Sequence, residues 1–125
     1  LRKVACATIV GATNIPFASE RAQEAAEIER GVLFVPEGVS SAGAVIVDSV
    51  EHYAYEHFVD ARPQELYEFT QEVVRSMTTQ LLTMSERLRV PPSLALPLVG
   101  DTELAPIGTR FAGWKAARSG LLAPT

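Results

Sequence analysis

The sequence has a single cysteine, Cys6, among its 125 residues, which excludes an intrachain disulfide framework and a thiolate metal site. A cytoplasmic, reducing setting is expected, with Cys6 acting as a small apolar residue inside a buried strand. Clusters of Lys or Arg are missing too. With 11 basic against 15 acidic residues and a net charge of −4, nothing favours nucleic acid or an anionic membrane as partner. No apolar run reaches the roughly 18 residues that a membrane span needs. The opening Leu1-Arg2-Lys3-Val4 lacks the layout of a secretory signal.

Several chemical signatures are absent. The two histidines, His52 and His57, stand five apart without a His-Glu-x-x-His pattern, so no metal site is expected and both read as surface or packing residues. There is no Gly-x-Ser-x-Gly elbow and no nucleophile paired with a base at a recognisable spacing. A Gly-x-Gly-x-x-Gly phosphate loop, with an acidic ribose reader beyond it, is also lacking.

What is present is concentrated in the first 53 residues. Two short β-branched runs, residues 4–10 and 32–35, are each followed by a turn and then by helical periodicity, which predicts an α/β, Rossmann-like βαβα fragment with parallel strands. Continuous apolar strands imply a sheet covered on both faces, and ligands of such sheets bind at the carboxyl ends of the strands. The turns Gly11-Ala12-Thr13-Asn14 and Val39-Ser40-Ser41-Ala42-Gly43-Ala44 occupy those ends. Between the strands, Ser19 is a candidate N-cap for a helix over 20–30, with Gly31 in the left-handed position that stops it. A second helix is predicted from Ser40 or Ser41 to about His57. Within its first turn, Gly43 either bares backbone amides to a ligand or packs tightly against a neighbouring strand.

The strongest periodicity lies in residues 63–88, where Pro63 opens a long helix carrying Leu66, Phe69, Val73, Met77, Leu81 and Leu88 as a core or interface stripe. After Pro91-Pro92, the residues Pro97, Gly100, Pro106 and Gly108 predict short turns, and 109–125 a short helix and then an irregular end. The organisation expected is a nucleotide-binding half-domain over 1–90 and a Pro/Gly-rich tail over 91–125. Two parallel strands leave edges unpaired, so neighbours supplied in cis or in trans are expected, from an upstream segment or a partner chain.

The runs Ala7-Thr8-Ile9-Val10-Gly11-Ala12-Thr13-Asn14-Ile15-Pro16, Glu29-Arg30-Gly31-Val32-Leu33-Phe34-Val35-Pro36-Glu37 and Ser41-Ala42-Gly43-Ala44-Val45-Ile46 carry a resemblance. In order and spacing they resemble the later half of the NAD(P)-binding domain of the glutamate/leucine/phenylalanine/valine dehydrogenases. The resemblance covers about residues 1–53 and is looser over the long helix. It implies oxidative deamination of an L-amino acid to a 2-oxo acid with hydride transfer to NAD or NADP, in a homo-oligomer. Gly11, Ala12, Asn14 and Ser41 would line the cofactor, and Ser41, Val45 and Asp48 the substrate. Ser41 stands where the family has asparagine, and Ala44 where it has a second glycine, which bears on the cofactor geometry.

Asp48 is the most informative departure. Glutamate enzymes carry serine there and aliphatic enzymes an apolar residue; a carboxylate would repel the first substrate and desolvate badly against the second. The site is therefore expected to prefer a polar or cationic substrate, or to have lost ordinary activity; the alternative is that Asp48 merely caps the helix or points to solvent. The family's catalytic lysine and aspartate belong to a preceding substrate domain and its glycine loop to the earlier half of the nucleotide domain. No catalytic residue is therefore assigned here, and this chain alone is not expected to transfer hydride. The rival reading is a non-catalytic remnant or a stand-alone binding module of the same fold.

Overall fold

A computed structural model describes residues 5–99 and 104–121. Among these residues helices predominate, with one pair of parallel strands, β1 (Thr8–Val10) and β2 (Leu33–Val35), in which Thr8 is opposite Leu33, Ile9 opposite Phe34 and Val10 opposite Val35. Val4 lies outside the described residues. The helices are α1 (Glu20–Glu24), α2 (Glu37–Ser40), α3 (Gly43–Tyr53), α4 (Tyr55–Val59), α5 (Pro63–Leu88), α6 (Pro92–Ala95) and α7 (Leu104–Leu121). By contacts they form two units, one within Leu1–Ala42 and Ser76–Val99, the other within Gly43–Arg75 and Gly100–Thr125.

In the first unit, the connection from β1 to β2 is helical because its start and stop signals both operate. Ser19 has extended backbone, and its Oγ accepts from the N–H of Ala22 at 3.1 Å. After α1 the backbone widens into a π-helical turn, Ala25–Glu29, in which Arg30 N donates to Ala25 O and Val32 N to Ala26 O. Gly31, at φ +64°, then reverses the chain into β2. Small Ala26 lets this helix approach the strands, and it is buried with Phe17, Val32 and Phe34 against half-buried Ile9.

That packing covers one face of the strand pair. Thr8 and Val10 are exposed, and so is Cys6, which corrects the expectation of a strand buried on both faces with Cys6 inside it. The cause is local: β1 has a single hydrogen-bonded neighbour among the described residues, so half of its surface lacks cover.

The expected second helix is corrected as well. Pro36 starts the separate turn α2, Ser41 ends it, and α3 begins only at Gly43 and stops at Tyr53, with Ala54 breaking it from α4. A Cβ on Gly43 would meet Thr70 Cγ2 at 3.5 Å, ordinary contact, so tight packing does not require glycine at this position.

The long helix runs over the residues its periodicity indicated. Phe69 and Val73 are buried in the second unit, and Met77 and Leu81 in the first, at four-residue steps, while Leu88 is exposed. Its C-terminus closes with Arg89 at φ +55°, Arg89 N donating to Glu86 O and Val90 N to Ser85 O, the double bond pattern of a Schellman stop.

The tail is the largest correction. Where turns were expected up to residue 107 and a short helix after 109, residues 104–121 form one helix, α7, and residues 122–125 lie outside the described residues. Pro106 falls in its first turn, where no intrahelical donor is lost. Gly108 is there for contact: a Cβ would lie 2.2 Å from Ser49 O, so α7 crosses α3 almost backbone to backbone. Further along, Phe111 packs edge-on to Phe69 and near-parallel to Trp114, whose Nε1 donates to Glu72 at 2.7 Å. Lys115 donates to Asp60 at 3.0 Å and holds its carboxyl below the usual aspartate range. Glu65 is lowered chiefly by accepting the backbone N–H of Arg62, the N-terminal cap of α5.

Candidate functional site

The two turns at the carboxyl ends of β1 and β2 are tied to each other. Ser40, in the last turn of α2, donates its Oγ proton to Gly11 O at 2.6 Å. Pro36 O lies 3.3 Å from the same oxygen, but a hydroxyl has one proton, and the shorter bond takes it. Ser41 Oγ reaches Ala12 O at 3.4 Å, a long and weak bond at an exposed position.

Gly11, Ala12 and Ser41 are thus brought together within the first unit. Asn14 stands exposed further along the same turn, its amide open to donate and accept. Next to it, Ile15 takes φ +52°, a left-handed backbone that a β-branched residue adopts only under strain. A Cβ on Gly11 would find Phe34 Cε2 at 3.8 Å and Thr13 O at 4.0 Å, ordinary contacts that leave room beside the turn.

Ser40 is not among the candidate binding residues read from the sequence, although it makes the shorter tie. Its only signal is position: a hydroxyl one helical turn beyond Pro36, beside the Ser41 that the motif highlights. Replacing it tests the tie. Ser40→Ala should lower stability by about 1 kcal/mol, the worth of one part-buried hydrogen bond, whereas Ser41→Ala should stay within about 0.5 kcal/mol of the parent. Urea unfolding of both variants checks the order.

Val45 and Asp48 belong to the second unit, one turn apart on α3 and both exposed. They line a shallow depression of about 640 Å³ together with Glu51, His52, Tyr53 and Tyr55. The aromatic rings of His52 and Tyr53 meet edge to face at 4.5 Å. Two carboxylates beside two phenol rings suit a cation or a hydrogen-bond donor better than an anion. Among the described residues, no group of three or more His, Cys, Asp or Glu side chains could hold a metal ion, and no helix is long and apolar enough to cross a membrane.

The described residues are therefore mostly helical, with a parallel strand pair whose carboxyl ends meet through serine hydroxyls, an arrangement compatible with the α/β class. No family model, curated protein or solved structure matches it.

Proposed function

We propose that this chain is part of the Rossmann-type NAD(P)-binding domain of an amino-acid dehydrogenase, with hydride transfer depending on residues outside these 125. The observation that carries the reading is the serine tie: it sets the Gly11–Ala12 turn beside the Ser41 turn at the carboxyl ends of parallel strands, where such domains take their ligands. The residues fit one wall of a nicotinamide site. Ala12, Asn14 and Ser41 are exposed, and a Cβ on Gly11 would make only ordinary contacts, with Phe34 and Thr13. NAD or NADP bound there would supply the hydride acceptor.

In this reading, Gly11 and Ala12 give close backbone approach, the Asn14 amide orients the cofactor by donating and accepting, and the Ser41 hydroxyl completes the edge. Within the second unit, taken by itself, Val45 and Asp48 on α3 would be the residues that meet a substrate side chain. The Asp48 carboxylate favours a cationic or strongly polar group, and neighbouring Glu51 strengthens that preference.

Assay of the protein that carries this chain, with 2-oxo acids, ammonia and NADH or NADPH, tests the proposal. Turnover is expected, fastest with side chains bearing an amino or amide group. Asp48→Ser should shift the ratio of kcat/KM values toward anionic side chains by about tenfold, or 1.4 kcal/mol. An unchanged ratio removes Asp48 from substrate selection; absence of turnover across the panel overturns the dehydrogenase reading itself.

A further inference from the structure

We propose that a groove in the first unit is a self-association surface, occupied by the exposed Arg87-Leu88-Arg89 knob of a second copy of this chain. The groove, about 260 Å³, lies between the helical stretch 20–29 and the segment that follows α5. Glu20, Glu24, Glu27 and Ile28 border it from one helical face, and Pro91 and Leu94 complete it. Ile28 is 59% and Leu94 60% exposed. They form an open apolar pair with an acidic rim, and no Lys, Arg or His is in the lining.

Two observations say what covers this groove. Glu27 accepts the Ser93 hydroxyl on Oε2 at 2.9 Å, but its Oε1 is buried with no hydrogen-bond partner among the described residues. A buried carboxylate oxygen without a donor is costly, and a guanidinium, with five N–H groups in a fork that matches a carboxylate, is the side chain best suited to supply one. The same unit carries such groups without a use. Arg87 and Arg89 stand exposed on either side of Leu88, and among the described residues neither forms an ion pair. Leu88 lies seven residues beyond buried Leu81, on the same face of α5, yet is 43% exposed, so the core stripe of that helix runs past its cover. A basic, apolar, basic knob complements an acidic groove with an apolar wall.

The position of the knob sets the symmetry. Arg89 is two residues from Pro91, at most about 7 Å along the chain, so knob and groove adjoin while the groove stays open within one copy. Adjoining complementary halves of one patch pair reciprocally across a two-fold axis, each knob in the other copy's groove, and the assembly closes as a dimer. Hydride transfer is a separate matter. None of Gly11, Ala12, Asn14, Ser41, Val45 and Asp48 lines this groove, so either reading can fail alone.

Sedimentation velocity of the full chain, from about 1 μM to about 1 mM, tests the contact. A monomer–dimer equilibrium is expected, weakening about tenfold as salt rises to about 0.5 M. With a net charge of −4 on each copy, a purely apolar contact would instead strengthen as salt screens the repulsion, so the sign of the salt effect separates the two. Reversing the knob with Arg87→Glu and Arg89→Glu, or the groove rim with Glu20→Arg and Glu24→Arg, changes exposed residues only. Each reversed chain alone should dimerise at least about tenfold more weakly, because like charges then meet at both contacts. Mixed in equal amounts, the two should associate as well as the parent, since both reciprocal contacts pair opposite charges again. A parent that stays monomeric at about 1 mM, a dimer indifferent to either reversal, or a mixture that fails to associate would overturn the proposal. Species that keep growing beyond the dimer would overturn the two-fold arrangement. If a reversed chain loses its helical circular dichroism, the salt titration of the parent decides alone: an affinity that is constant or rises with salt refutes the charge pairing.

Discussion

Gly108→Ala is expected to destabilise the second unit by about 3 kcal/mol or more, the upper end for forcing an added group into a packed interior. The added Cβ would sit 2.2 Å from Ser49 O and 2.7 Å from the Ser49 carbonyl carbon, with Tyr53 Cβ at 3.2 Å. A side chain could rotate away from such a clash, but two of these three atoms are backbone of α3, and relief requires the two helices to separate. Separation would open the contact that buries Ile46, Val50, Ile107 and Phe111. Gly113→Ala, in the same helix, meets nothing within 4 Å. There the ordinary helix preference applies, and alanine should add about 1 kcal/mol. Urea unfolding of the two variants should therefore move the midpoint in opposite directions. A mild effect of Gly108→Ala would mean that α3 and α7 do not cross as closely as the structure has them.

That crossing also shows why the sequence was legible in some places and not in others. Signals acting within one turn of chain were readable: Ser19 as a cap, Gly31 as a left-handed stop, and the long helix opening at Pro63, whose periodicity repeats over seven turns. Contacts made at a distance in sequence were not. Pro106 and Gly108 carry the local marks of a broken helix, yet α7 runs through both, because its partner α3 requires a residue without a side chain at Gly108. Likewise, Thr8 and Val10 have the composition of buried strand residues and stand exposed, since burial depends on neighbours that a strand's own sequence does not specify.

The candidate site divides along the same line. The turns after β1 and β2 could be placed at strand ends from the alternation of elements, and their meeting follows from parallel pairing. The hydroxyl that joins them, Ser40 to Gly11, spans 29 residues and has no local signature. Ser41, singled out by motif, makes the weaker contact, and the expected start of the second helix at Ser40 or Ser41 gave way to a turn opened by Pro36 and ended by Ser41. The motif thus highlights Ser41, while the geometry assigns the stronger tie to the adjacent side chain, Ser40.

Phe111→Ala is the second change expected to be severe, costing about 3–5 kcal/mol out of the roughly 5–15 kcal/mol that separates folded from unfolded states of a typical domain. The ring has no exposed surface and touches Phe69 at 5.2 Å and Trp114 at 5.8 Å between centroids. Where neighbours collapse into the space left by a truncated side chain, the loss is smaller. Here Trp114 is held from other directions: its Nε1 donates to Glu72, and the Arg118 guanidinium lies 4.7 Å over its ring while pairing with Glu68 and Glu72. The cavity should therefore stay open, placing the loss toward the upper end of the range. Phe111→Leu, which keeps most of the volume, should cost less than about 1.5 kcal/mol. Since Trp114 is the only tryptophan, its emission reports the change directly. A red shift in Phe111→Ala below the unfolding transition, with Phe111→Leu close to the parent, is the expected pattern. Equal losses in both variants would mean that the aromatic stack rather than filled volume stabilises this core.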